Sequence, residues 1–440
     1  MTTVYPFYAY KYNSKKVTIE DVVSQPYDKI STTDWEMYGQ KNTYNIVNLI
    51  LNKKRATDSP SNNRYTRANE LLKRWVKDGI IKRNEHPCFY LYDQVYTYEN
   101  TTLKRKGFTA LIRLKDFSTG HIKPHEYTLS NPKKDRFNLL KETQSLFGHI
   151  FMLYDDKKDS INNLCNSYRE KKPDIEVRDS DTNIHQIWEV NNLPLIQSLK
   201  NSIAGSPLLI ADGHHRYETY LDYLSFLKNN NHTISADADC NFALVTLVNL
   251  YDEGLTILPT HRVIKQMSCS PDKLLQLLNN DFNCEKIDIA HETDLKNITD
   301  ILQNKGKDNI VFGFYKGGTS LYIVTYKLSS IPEKNLSMKK GSAWRSLDLS
   351  VLHTQVLEKL CGITEDVLRE GKHVSYAREA KKAFGMVNSG EARCLFLVNP
   401  TKISSVLSVT QEGDRMPQKS TDFYPKLLTG LTFYKMENFE

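Results

Sequence analysis

The amino-acid sequence predicts a mixed α/β chain of the α+β kind, divided into two domains. Three observations predict it. The chain has 440 residues, more than one ordinary domain holds at roughly 150 residues each. Hydrophobic residues make up 40% and charged residues 25%, a balance that builds a core and excludes a wholly disordered chain. Segments with helical spacing alternate irregularly with segments rich in β-branched and aromatic residues. The even rhythm of a strand–helix–strand array is missing.

Tyr65, Ala68, Leu71, Leu72, Trp75 and Val76 recur at helical spacing within 64–78, and Gly79 stands where a helix C-cap belongs. Residues 89–98 and 107–114 read as strands, with the polar stretch 99–106 as their hairpin loop. A helix on antiparallel strands is therefore expected in the first third. The domain boundary is placed near residue 200, in the polar stretch before Pro207. That gives an N-terminal α+β domain over 1–200 and a second domain over 201–440. Pro207-Leu208-Leu209-Ile210-Ala211 reads as a short buried strand, followed by a helix carrying Tyr217, Tyr220, Leu221, Leu224 and Leu227. Residues 242–250 read as another buried strand. Residues 312–315 and 321–326 form a hairpin about Gly317-Gly318, 347–360 an amphipathic helix, and 394–398 a late strand.

Lys plus Arg is 59 and Asp plus Glu is 52, a net charge of +7. The excess is small and has no basic tail, so nucleic acid is not the expected partner and anionic small ligands are favoured. The 25 tyrosines read as compositional bias rather than a stacking surface. Seven cysteines are scattered, with no CxxC pair, which argues against a structural zinc site of the usual spacing. The N-terminus lacks a signal-peptide pattern, and no apolar run approaches about 18 residues. A reducing, cytoplasmic location and no membrane span are expected. GxxxxGK[ST], GxGxxG after a strand, GxSxG and the protein-kinase signatures are all absent.

The segment that carries most chemistry is Asp212-Gly213-His214-His215-Arg216, set between a strand and a helix. A helix N-terminus offers backbone N–H groups and partial positive charge. Gly213 lets a ligand approach the backbone, and Arg216 supplies a forked cation suited to phosphate. Together they read as a phosphate cradle. His214 and His215 can donate hydrogen bonds or move protons. Asp212 can cap the helix, hold a histidine tautomer or ligate a metal ion. Two plainer readings compete: an Asp N-cap with surface histidines, and a zinc site, which adjacent histidines suit poorly.

Four further segments are candidates, each against the alternative of a solvated loop or turn. His125-Glu126, after Pro124, can supply a general base, and Arg136 follows. Thr260-His261-Arg262 behind Pro259 suits an oxyanion. Lys419-Ser420-Thr421 and Lys426 suit anion contact. Gln25-Pro26-Tyr27-Asp28 reads as a Pro turn before a helix cap at Ser31.

These segments, in this order along nearly the whole chain, resemble the domain-of-unknown-function family ten-fifteen. The Asp-Gly-His-His-Arg turn is also similar to the nucleotide-phosphate motif of the ParB/sulfiredoxin superfamily. That superfamily includes free serine kinases, which use ADP or ATP, and CTP-hydrolysing partition proteins. The resemblance implies a ParB/sulfiredoxin-like nucleotide-binding core with an additional antiparallel sheet and helices. On this chain Gly213, His214, His215 and Arg216 would hold the nucleotide.

The expected function is a small-molecule kinase using ATP or ADP with Mg²⁺, and free L-serine is the favoured acceptor. Glu126, His125, His214, His215 and Asp212 are its candidate catalytic residues, with Asp212 also the metal ligand. Arg136, His261, Arg262, Lys419, Ser420, Thr421 and Lys426 are candidates for binding the acceptor or the transferred group. The expected partners are that small-molecule substrate and a nucleotide, and the assembly allowed for is a homodimer. Two alternatives stay open: a phosphate-ester hydrolase using the same anion site, and a non-enzymatic nucleotide-binding regulator.

Overall fold

The computed structural model describes residues 2–128, 130–230, 233–289, 294–336 and 338–437. The fold is mixed α/β, and the chain divides into two compact units. The first comprises 1–124, 128–256 and 425–440; the second comprises 125–127 and 257–424. Residue 200, where the sequence predicts the boundary, lies inside the first unit, in the helix Leu193–Ile203. The polar residues of that stretch are its outer face, while Ile196, Leu199 and Ile203 are buried. The strand that follows, Leu208–Asp212, is an inner strand of the first unit's sheet, so a cut near 200 would divide one core.

The first unit is built on a nine-stranded sheet. Its order runs from Ile122–Pro124 through Leu208–Asp212, Ile150–Tyr154, Phe242–Asn249, Thr101–Arg113, Phe89–Tyr98 and Ile184–Val190 to Ile175–Arg178. Val4–Tyr5 also pairs with Thr101–Arg113. Leu208–Asp212 is parallel to Ile122–Pro124 and antiparallel to Ile150–Tyr154. Phe242–Asn249 is buried at every position, and Thr246 within it is satisfied by a 2.9 Å hydrogen bond with Thr109 Oγ1. The long hairpin turns on Glu99 and Asn100 alone, with φ of 47° and 64°. The expected loop 99–106 is thus mostly strand. Its charged Arg105 is nonetheless fully buried, donating from Nε to Gln94 Oε1 at 3.0 Å. Helix Arg64–Lys77 forms as its spacing predicts. Asn63 caps it, accepting from the Tyr65 and Thr66 amides. Gly79, at φ 67°, closes it, with Ile80 N–H reaching Trp75 O at 2.9 Å.

The second unit has a six-stranded antiparallel sheet, ordered Phe282–Asp288, Ser320–Tyr326, Val311–Tyr315, Cys394–Leu397, His261–Ile264 and Val374–Ala377. The predicted hairpin turns at Gly317 and Gly318, both at positive φ. The amphipathic run expected as one helix over 347–360 starts as Asp348–Val351 and widens into π-helical turns over Leu352–Glu358. Among the described residues no helix is long and apolar enough to cross a membrane. All seven cysteines are free thiols.

Candidate functional site

In the first unit the Leu208–Asp212 strand runs through Gly213 into the helix His214–Asn229. Gly213 has a φ of 95°, a conformation that disfavours any side chain. A Cβ there would also lie 3.0–3.1 Å from the Arg216 guanidinium. On the other side a Cβ at Gly148 would lie 2.9 Å from Arg216 Nη1. The guanidinium therefore occupies a slot that two glycines keep open. Its Nη1 donates to His149 O, and its Nη2 lies 4.0 Å from Asp212 Oδ2. Lys426 Nζ donates to the same Oδ2 at 3.3 Å. Asp212, Gly213, Arg216 and Lys426, all predicted from sequence, come together here. Gly148 was not predicted. Its only trace in the sequence is a glycine two residues before a buried strand.

Burial raises the Asp212 carboxyl, but the charges of Lys426, Arg216 and Lys29 outweigh it and hold the group well below the usual carboxylate range. Burial lowers Arg216, and the charges of Asp212 and Asp28 more than compensate, so it stays protonated. Pro26, Tyr27, Gly148, Tyr220, Arg136 and Arg216 line a cavity of about 50 Å³, space for a water or two and not for a nucleotide. Arg136 stacks 4.2 Å from the Tyr27 ring centre and donates to Ile50 O at 2.9 Å. It braces the Pro26-Tyr27 turn rather than reaching outward, a correction to its expected role in substrate binding. His214 is buried and His215 half-buried.

The residues present do not fit a magnesium ion held by Asp212. Three cationic side chains act on that carboxylate. Among the described residues, no group of three or more His, Cys, Asp or Glu could hold a metal. The expectation of Asp212 as metal ligand is corrected on this ground: cationic side chains, rather than further ligand groups, surround the carboxylate.

The remaining predicted residues lie in the second unit, except for Arg136, His214 and His215. Glu126 Oε1 accepts from the Ser420 amide at 3.1 Å and the Thr421 amide at 3.3 Å. His125, fully buried, shares a 2.7 Å hydrogen bond with Thr421 Oγ1, and its carbonyl accepts from Met416 N–H. Arg262 is 0% exposed. It donates to Thr260 O, to Gln418 O at 3.2 Å, to Lys419 O at 3.1 Å and to His353 Nε2 at 3.2 Å. His261 Nδ1 accepts from Val398 N–H, and burial pushes its imidazole down to about 4. Ser420 Oγ donates to Pro417 O at 2.5 Å. Arg262 and His261, expected to meet substrate, are instead sequestered, because backbone groups take up their polar atoms. Glu126, His125 and Arg262 together hold the 416–421 loop. Lys419, at φ 56°, is the exposed member of that loop.

A family model described as "Protein of unknown function (DUF1015)" matches residues 4–350. No curated protein matches the chain. Among solved structures, a conserved hypothetical protein from Pyrococcus furiosus is 15% identical. The match covers 73% of this chain and 95% of that one, with a TM-score of 0.34. A free serine kinase in complex with AMP is 13% identical over 75% and 91%, with a TM-score of 0.36. SbnI from Staphylococcus aureus, truncated at its C-terminus, is 12% identical over 73% and 85%, at 0.33. At these TM-scores the likeness assigns no activity.

Proposed function

The chain belongs to DUF1015, a protein family of unknown function, and for it we propose a nucleotide-dependent phosphotransferase acting on a small hydroxylated acceptor. Free L-serine is the favoured acceptor, giving O-phosphoserine, and ATP or ADP is the donor. One observation carries the reading: the Arg216 guanidinium, seated between Gly148 and Gly213 beside a helix N-terminus, shares Asp212 with Lys426. Without ligand, the carboxylate offsets one of the two positive charges. A phosphate chain arriving at the turn takes over that role. The helix N-terminus and the two cations then stabilise charge on the transferring group, which is most of what phosphoryl transfer needs.

In the proposed step the acceptor oxygen bonds to the terminal phosphorus, and the bond from that phosphorus to the nucleotide's bridging oxygen breaks. The hydroxyl proton passes to a base, for which His215, more exposed than His214, is the candidate. Asp212 is too strongly held as a carboxylate to take it. No step is assigned to a protein-held metal.

The test is phosphorus NMR on the purified full chain with ATP or ADP, L-serine and magnesium in the buffer. Phosphoserine is expected from the native protein and not from Arg216→Ala. Untouched nucleotide, with added phosphoserine hydrolysed, replaces this reading by the phosphatase. Nucleotide binding without turnover of either replaces it by a regulatory role.

A further inference from the structure

The second unit contains a cavity of about 590 Å³, within the range of small-molecule sites. Leu336, Trp344, Ile363 and Leu368 supply apolar wall. Two polar side chains, Gln418 and His353, are among its lining residues. Gln418 Nε2 is buried and has no hydrogen-bond partner among the described residues. His353 is 9% exposed, and its Nε2 accepts from Arg262 Nε at 3.2 Å. Arginine cannot accept, so His353 carries its proton on Nδ1, which has no partner among the described residues. Burial and the Arg262 charge keep this imidazole neutral. The π-helical turns over Leu352–Glu358 set His353 in place, and such turns recur at functional sites.

Behind both donors stands buried Arg262, bonded to His353 and to the Gln418 carbonyl. Around the cavity Lys340 pairs with Asp414 at 3.3 Å, Lys359 with Asp281 at 3.2 Å and Arg369 with Glu365 at 2.8 Å, while Arg415 lies over the Tyr127 ring. The wall is thus apolar, and Gln418 and His353 supply its uncommitted polar donors. His353, Arg369, Arg415 and Gln418 all lie beyond residue 350, where the family match ends. The phosphotransferase reading uses none of them.

We propose that this cavity binds a small apolar carboxylate, with its carboxylate on His353 Nδ1 and Gln418 Nε2 and its body against Trp344, Ile363 and Leu368. The class is an aromatic or branched aliphatic acid, and the site is independent of the phosphate-binding turn.

The experiment is a ligand-observed NMR titration of the full chain with phenylacetate, indole-3-acetate and 4-methylpentanoate, and with phenethylamine as the cationic counterpart. At least one acid is expected to bind saturably, and phenethylamine at least tenfold more weakly. Gln418→Leu, which keeps the size and removes the donor, is expected to weaken the acid at least tenfold. Leu368→Trp, which adds bulk to the apolar wall, is expected to abolish binding. Circular dichroism checks that each variant is folded, and either variant alone decides the location. Binding of none of the three acids overturns the proposal. So does equal binding of the amine, or unchanged affinity in a folded variant.

Discussion

Arg216 is the residue on which the phosphate reading turns, and its environment makes separable predictions. Gly148→Ala places a methyl 2.9 Å from Arg216 Nη1 and forces the guanidinium out of its slot. ATP affinity by calorimetry is expected to fall at least tenfold, although residue 148 bears no charge. Asp212→Asn does the reverse. It removes the carboxylate that competes for Lys426 and Arg216, so affinity for inorganic phosphate is expected to rise several-fold. A fall in phosphate affinity would show that Asp212 does more than compete for the two cations. Glu126 distinguishes scaffold from base. A glutamine at 126 still offers an oxygen to the Ser420 and Thr421 amides, whereas alanine offers none. Glu126→Gln is expected to keep activity and thermal midpoint, and Glu126→Ala to cost about 1–3 kcal/mol in denaturant unfolding. Loss of activity in the glutamine variant would restore Glu126 as the base. The motif residues were legible in the sequence because their types are chemically rare in one turn. Which groups each one bonds was not, since Arg262 and Arg216 look alike until their partners are known.

At the scale of elements, the strand–turn–helix around Gly213 was legible from periodicity and one glycine, and so was the hairpin about Gly317-Gly318. The Thr101–Arg113 strand was only half legible, because Arg105 gets its partners from Gln94 and the Pro425 carbonyl, far away in sequence. The loop 416–421 hangs on Arg262, a buried cation satisfied by carbonyls. Arg262→Met leaves those carbonyls and His353 without donors and is expected to cost roughly 3 kcal/mol, read as a shift in urea midpoint. In the first unit His149 leads into the Ile150–Tyr154 strand, bonded to Thr246 Oγ1 and Thr432 O, both at 2.8 Å. Burial is the main cause that pushes its imidazole down to about 4. The unfolded chain takes up a proton near pH 6.5, and the folded one only near pH 4. Stability is therefore complete above pH 6.5 and falls as pH drops through that window, by about 3 kcal/mol for this group. His149→Gln is expected to flatten that part of the stability–pH curve, measured by urea unfolding at pH 7, 6, 5 and 4.5.

At the scale of the whole molecule, the first unit is discontinuous, and residues 425–440 belong to it. Tyr434–Lys435 pairs with Ser145–Leu146, Phe433 is fully buried, and Lys426 completes the pair with Asp212. A chain ending at Tyr424 is expected to lose the cooperative unfolding of the first unit and its resistance to proteolysis, seen by circular dichroism and limited proteolysis. Retention of both would show that the C-terminal segment is dispensable. The sequence by itself determined the mixed α/β class, most of the local elements and the family. It also singled out a turn whose residue types suit phosphate. Those follow from spacing, turn chemistry and rare residue combinations, which act over a few neighbours. Only the tertiary structure decided that Gly148 and Gly213 form one slot for Arg216, that Lys426 shares Asp212, that Arg262 and His261 face backbone, and that the units divide at 256 and 424. Each depends on which distant groups satisfy a buried donor or charge, and that pairing is set by packing rather than by position in the chain.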